Sequence, residues 1–145
     1  MAPFVVLAAV TALARLLGWF IDVTWLDSWS DAVRFGLATM FGLTASAHFL
    51  QPRRSALIEM VPPQLPAAPA LVTLTGVLEI AGAVGLLIPA TADLAAAGLA
   101  ALLVVMFPAN VLAARKGVGA KTMPLPLRTV LQVVFLGATA LVIAG

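Results

Sequence analysis

Glu79 lies near the centre of an apolar run from Ala70 to Pro89, and a carboxylate held in hydrocarbon costs several kcal/mol unless a partner satisfies it. Polar side chains recur inside the neighbouring apolar runs: Arg34 and His48 in one, Asn110 in another, Gln132 in a third, with Thr75 one turn before Glu79. Counting the helical rise of about 1.5 Å per residue from the basic end of each run places His48 at roughly 3 Å, Asn110 at roughly 5 Å, Thr75 at roughly 8 Å, Gln132 at roughly 10 Å and Glu79 at roughly 14 Å. Groups from different helices thus form a graded series leading to Glu79. This pattern suits ligand binding or proton relay in a shared inward cavity, where Glu79 accepts a proton and Gln132, Asn110 and His48 orient a ligand or link it to water.

Each of these residues also has a purely structural reading. Glu79 can fasten helices by pairing with Gln132, interhelical amide bonds being worth about 1 kcal/mol. Thr75 can bond back to its own helix, and Asn110 can cap a kink at Pro108, whose ring frees a backbone carbonyl. Arg34 shares a helical face with Phe41, Ala45 and His48, where snorkelling and an inward ion pair are both open. A direct Arg34–Glu79 catalytic pair, with Glu79 as general base and Arg34 polarising an anion, is opposed by a depth difference of roughly 10 Å. No catalytic residue is assigned. His48 and Glu79, roughly 11 Å apart in depth, are not expected to share a metal ion. Arg15 is expected to snorkel to Asp22 or stack on Trp19, and the methionines, forming no single stripe, read as packing.

Composition narrows the chemistry. The 145 residues include no cysteine, no tyrosine and one histidine, which removes dithiol exchange, thiolate-bound clusters, tyrosyl radicals and multi-histidine metal sites from a single chain. With 63% hydrophobic and 10% charged residues and a mean hydropathy of +1.13, the chain has too little polar surface to coat a water-soluble globule. Its net charge of +2 comes without the aromatic interleaving of a nucleic-acid surface, so lipid is the expected partner and nucleic acid is not.

The elements that must position the polar groups are five runs of spanning length: Phe4 to Phe20, Asp31 to Leu50, Ala70 to Pro89, Leu94 to Ala113 and Leu125 to Ala144. They predict an all-α polytopic bundle forming one transmembrane domain over residues 1–145. The first run has an alternative reading as a signal peptide, since Ala12-Leu-Ala14 resembles a cleavage site, but it lacks a positive n-region. If the runs alternate, Arg53, Arg54, Arg115, Lys116, Lys121 and Arg128 share one side, while Asp22, Asp27, Asp31 and Asp93 share the other, with Arg15 and Arg34 near the span ends there. The positive-inside rule then puts the amino terminus in the cytoplasm and the carboxyl terminus outside, with Trp19, Trp25 and Trp29 as an outer aromatic belt. A tight Ala90 to Asp93 turn makes the third and fourth runs antiparallel neighbours. Between Gln51 and Pro69, five prolines bracket Ser55 to Val61, too short to span and apolar enough to lie at the interface or fold back as a lid. Gly117 and Gly119 make a flexible basic turn.

The segments Arg34-Phe-Gly, Ala47-His-Phe49, Met60-Val-Pro-Pro-Gln-Leu-Pro66, Thr75-Gly-Val-Leu-Glu79, Gly85-Leu-Leu-Ile-Pro89 and Phe107-Pro-Ala-Asn110, followed by Gln132, resemble the DoxX-like family of bacterial membrane proteins. The resemblance covers Asp31 to the carboxyl end. It implies a four-helix core with the first run as an amino-terminal addition, residence in the bacterial inner membrane, and a loose association with respiratory or sulfur redox chemistry. The expectation that follows is an accessory or lipophilic-ligand binding subunit, with quinone as a possible ligand, no intrinsic cofactor, and redox-enzyme subunits or a second copy as partners. A small proton-coupled or solute transporter and an intramembrane enzyme using Glu79 as acid and base are the alternatives.

Overall fold

The computed structural model describes residues 1–21, 23–118 and 123–145. Six α-helices carry the chain: α1 (Ala2–Ile21), α2 (Trp29–Phe49), α3 (Arg53–Met60), α4 (Ala68–Leu87), α5 (Ala92–Lys116) and α6 (Leu125–Ala144), with no strand among the described residues. Ser28 starts α2 by accepting a hydrogen bond from the Asp31 amide at 2.9 Å, which satisfies one of the orphan donors of a helix amino terminus. Gly117 ends α5 in the left-handed conformation (φ 66°), its amide reaching the Ala113 carbonyl, a termination that favours glycine. The helix α5 runs unbroken through Pro108. The 3-10 turn Pro89–Thr91 joins α4 to α5, which pack as neighbours.

The helices α2, α4, α5 and α6 close a four-membered ring through the contacts α2–α4, α4–α5, α5–α6 and α6–α2, and α1 packs along the outer side of α2. Their shared core includes Leu37, Met40, Phe41, Leu86, Leu99 and Val142. Small residues set the close crossings. A Cβ on Gly36 would lie 2.2 Å from the Thr11 hydroxyl, and one on Gly82 would lie 2.5 Å from Leu99, so both contacts require glycine.

Four helical segments, Ala2–Ile21, Ala68–Leu87, Pro89–Lys116 and Leu125–Ala144, are long and apolar enough to cross a membrane. Large apolar side chains such as Leu74, Val77, Ile80, Val105 and Val133 are exposed on the outside of the bundle. With 21 residues, α2 matches the others in length, but it carries more polar and charged side chains, Asp31, Arg34, Thr44 and His48 among them. It is also the most enclosed helix, with nine residues from Ala32 to His48 buried. Thr44 and His48 find their partners on α4, at Glu79 and Val72, and Asp31 and Arg34 pair with each other.

The two ends of the bundle differ in charge. One gathers the start of α1, the end of α2, α3, the start of α4, the end of α5 and the start of α6, and with them Arg53, Arg54, Arg115, Lys116 and Arg128. The other holds Asp27, Asp31, Asp93 and the three tryptophans. Asp22 and Lys121, assigned to these ends from sequence, and Gly119 of the basic turn lie outside the described residues.

Candidate functional site

At the basic end, His48 on α2 and Glu79 on α4 meet inside the bundle, with Nε2 3.4 Å from Oε1 and both residues buried. The expected separation in depth is therefore corrected. A Cβ on Gly76 would lie 2.5 Å from the His48 Cβ, so the two backbones touch at that level and Glu79 stands only three residues, or about 4.5 Å of rise, beyond it. Counting depth from the ends of hydrophobic runs ignores the axial offset at which neighbouring helices pack, and that offset is set here by a glycine.

The hydrogen bonds around the pair define its protonation. His48 Nδ1 lies 2.8 Å from the Val72 carbonyl oxygen, which can only accept, so Nδ1 carries a hydrogen. The Thr75 hydroxyl, 3.1 Å from the same nitrogen, bonds back to Leu71 and Val72 of its own helix at 3.0 and 3.1 Å. Nε2 then faces a carboxyl oxygen, and a neutral ring nitrogen against a carboxylate would oppose two lone pairs. A single proton shared by Nε2 and Oε1 removes the conflict, either as imidazolium with carboxylate or as imidazole with carboxylic acid. The second carboxyl oxygen accepts from the Thr44 hydroxyl at 2.8 Å. The dyad is thus a buried polar link between α2 and α4.

This dyad forms one wall of a cavity of about 590 Å³ that reaches the basic end. On another wall, Arg128 of α6 donates through NH1 to the Asn110 side-chain oxygen of α5 at 3.0 Å and through Nε to the Met123 carbonyl at 3.0 Å. Between these polar patches the lining is apolar, with Met40, Phe41, Leu103, Met106 and Phe135 prominent. The short helix α3 covers one side through Arg53, Ala56, Leu57 and Met60, so the Ser55 to Val61 segment folds back against the bundle. It is held by Arg54, which donates to the His48 carbonyl, to the Pro69 carbonyl at 3.1 Å and to the Thr73 hydroxyl at 3.0 Å. One guanidinium thereby ties α3 to the end of α2 and the start of α4. A concave, mostly apolar chamber with a few convergent polar groups is the usual form of a small-molecule site.

Of the residues singled out from sequence, the structure brings His48, Thr75, Glu79 and Asn110 to this region and separates two others. Gln132 is half-buried but does not line the cavity, so the partners fastening Glu79 are His48 and Thr44. Arg34 sits near the acidic end, bonded to Asp31 at 3.0 Å. Fourteen residues of α2 separate it from His48, about 21 Å of rise, which rules out a direct Arg34–Glu79 pair. Arg15 bonds to Asp27 at 3.2 Å and lies over the Trp29 ring, while Trp19 stacks on Phe20; the expected Asp22 contact lies outside the described residues. Met40, Met60 and Met106 line the cavity, and Met40 also packs in the core. Among the described residues no group of three or more His, Cys, Asp or Glu gathers at one point.

Thr44, Arg54 and Arg128 were not singled out as site residues from sequence. Thr44 does lie four residues before His48 on the same helical face, a signal available in the spacing. The two arginines carry only the signature of orientation-setting charges.

A family model described as Domain of unknown function (DUF8561) matches residues 37–144, a stretch that contains the dyad, α3 and the Asn110–Arg128 wall. No curated protein and no solved structure matches the chain.

Proposed function

The chain belongs to the DUF8561 family, a description that names no activity, and we propose from the site that it is a multi-pass membrane protein that binds a lipophilic ligand with a polar head. The observation that carries this reading is the cavity itself. Its body is apolar, and its buried His48–Glu79 dyad, deep in the chamber, is placed to exchange a hydrogen bond or a proton with a polar group of a bound ligand. In this reading α2 crosses the bilayer as a fifth span, shielded by α1, α4 and α6, and the basic end faces the cytoplasm of a bacterial cell. The narrower form, a quinone-binding accessory subunit of a membrane redox enzyme, draws on the resemblance to DoxX-like proteins, and the carbonyl of a quinone is an acceptor for the dyad's proton.

Glu79→Gln tests the reading with little disturbance, because the glutamine amide can donate to Nε2 and hold the geometry while removing the exchangeable proton. Protein extracted from its native membrane in gentle detergent should copurify with a lipophilic molecule, identified by mass spectrometry, and Glu79→Gln should lose most of it. Ligand-free wild type, or equal retention by the variant, rejects the role of the dyad. Proton-coupled transport would place its proton-carrying group at the same dyad; it gains ground if vesicles reconstituted with the wild type, but not with Glu79→Gln, carry a proton flux.

A further inference from the structure

We propose that the ligand's head is an anion and that Arg53, at the mouth of the cavity, selects it. This rests on the lipophilic-ligand reading, takes an anionic head in place of the neutral quinone, and seats that head at the mouth with the dyad deeper in the chamber. Arg53 is exposed on the first turn of α3 and also lines the cavity. Its neighbour Arg54 is consumed by three bonds to the bundle, whereas Arg53 makes no hydrogen bond or ion pair with the described residues. Farther in, the buried Arg128 guanidinium is oriented by Asn110 and Met123. The charged side chains facing the chamber, among the described residues, are these two guanidiniums, Glu79 and, when protonated, His48.

The single carboxylate does not cancel the arginines where a head group would sit. Glu79 lies eleven residues into α4, about 16 Å of rise, and its oxygens are engaged by His48 and Thr44. Arg128 is three residues into α6, and Arg53 is at the rim. The chamber is therefore positive near its mouth and apolar beyond, which matches a single-chain amphiphile entering tail first with a carboxylate or phosphate left at the guanidiniums. A neutral head would leave Arg53 unpaired, and a cationic head would be repelled.

Four oleyl-chain probes separate the possibilities by native mass spectrometry of the full chain in an uncharged detergent: oleate, oleoyl lysophosphatidate, oleyl alcohol and oleylamine. The expected result is that at least one anion binds about tenfold or more tightly than the alcohol, as a charge-assisted contact implies. Oleate in the lead indicates a free fatty acid, and lysophosphatidate in the lead indicates a lipid phosphate. Arg53→Gln should cut the preference for the anions over the alcohol severalfold, with Arg128 retaining the rest, and Arg53→Lys should keep more of it. Because Arg53 is exposed, its variants should unfold at the wild-type temperature. Equal binding of all four probes overturns the assignment of the head while leaving a lipophilic site, and an anion preference untouched by Arg53→Gln overturns the role of Arg53. Failure of every probe to bind overturns both.

Discussion

Gly76→Ala offers the most direct test of how the dyad is assembled. The added Cβ would meet the His48 Cβ at 2.5 Å, its Cγ at 2.9 Å and Phe49 Cε2 at 2.9 Å, whereas ordinary contact begins at 3.4 Å. The deficit of 3.4 − 2.5, about 0.9 Å, must be met by moving α2 from α4, since the obstruction is the root of a side chain and not its flexible tip. A shift of that size carries the 3.4 Å His48–Glu79 contact beyond hydrogen-bonding range. Gly42 supplies the control, lying on α2, the helix of His48, with nothing within 4 Å of its added Cβ. Both substitutions gain the same intrinsic helix propensity, about 1 kcal/mol, so the difference between them isolates the overpacking term of about 1–3 kcal/mol. Unfolding by sodium dodecyl sulfate titration in mixed micelles should show Gly76→Ala less stable than Gly42→Ala by that amount, with loss of copurifying ligand in Gly76→Ala only. Equal stabilities, or a Gly76→Ala protein that keeps its ligand, would refute the claim that this glycine sets the register of the site.

Two further predictions address the frame. The chain has no cysteine, so single-cysteine variants can be probed without background: Asp93→Cys should react with a membrane-impermeant thiol reagent in intact cells and Lys116→Cys only after lysis, and the reverse pattern would invert the orientation. Arg54→Leu removes the clamp between α3 and both flanking helices and should cost about 2–3 kcal/mol by leaving bonded carbonyls without their charged donor; proteolysis confined to α3 would mark its release, and unchanged protease resistance would argue that apolar contacts alone hold it.

The presence of the five long helices was legible from hydrophobic run length, though the runs miss the ends of α4 and α5 by two to three residues. The runs ending at Leu50 and beginning at Leu125 agree with α2 and α6 to within a residue at those ends, because an apolar segment bounded by prolines, glycines and charges has few alternatives to a helix. That Glu79 needs a partner inside the protein was legible for a similar reason, since a lone ionisable group in an apolar run must find one. The identity of the partner was not. Run ends predict depth only if every helix starts at the same level, and the Gly76 crossing shifts the match so that His48 meets Glu79 directly. Arg34 shows the converse: a shared helical face with His48 says nothing about distance along the helix, and Arg34 ends up bonded to Asp31 near the far end. Arg54 and Arg128 look alike in sequence as interfacial charges, yet one clamps α3 and the other turns into the cavity, because each guanidinium goes to the carbonyls and amides that packing brings within reach. Local periodicity specifies helices and which groups are costly to bury; the axial offset between helices, set by side-chain contacts distant in sequence, specifies which of those groups meet.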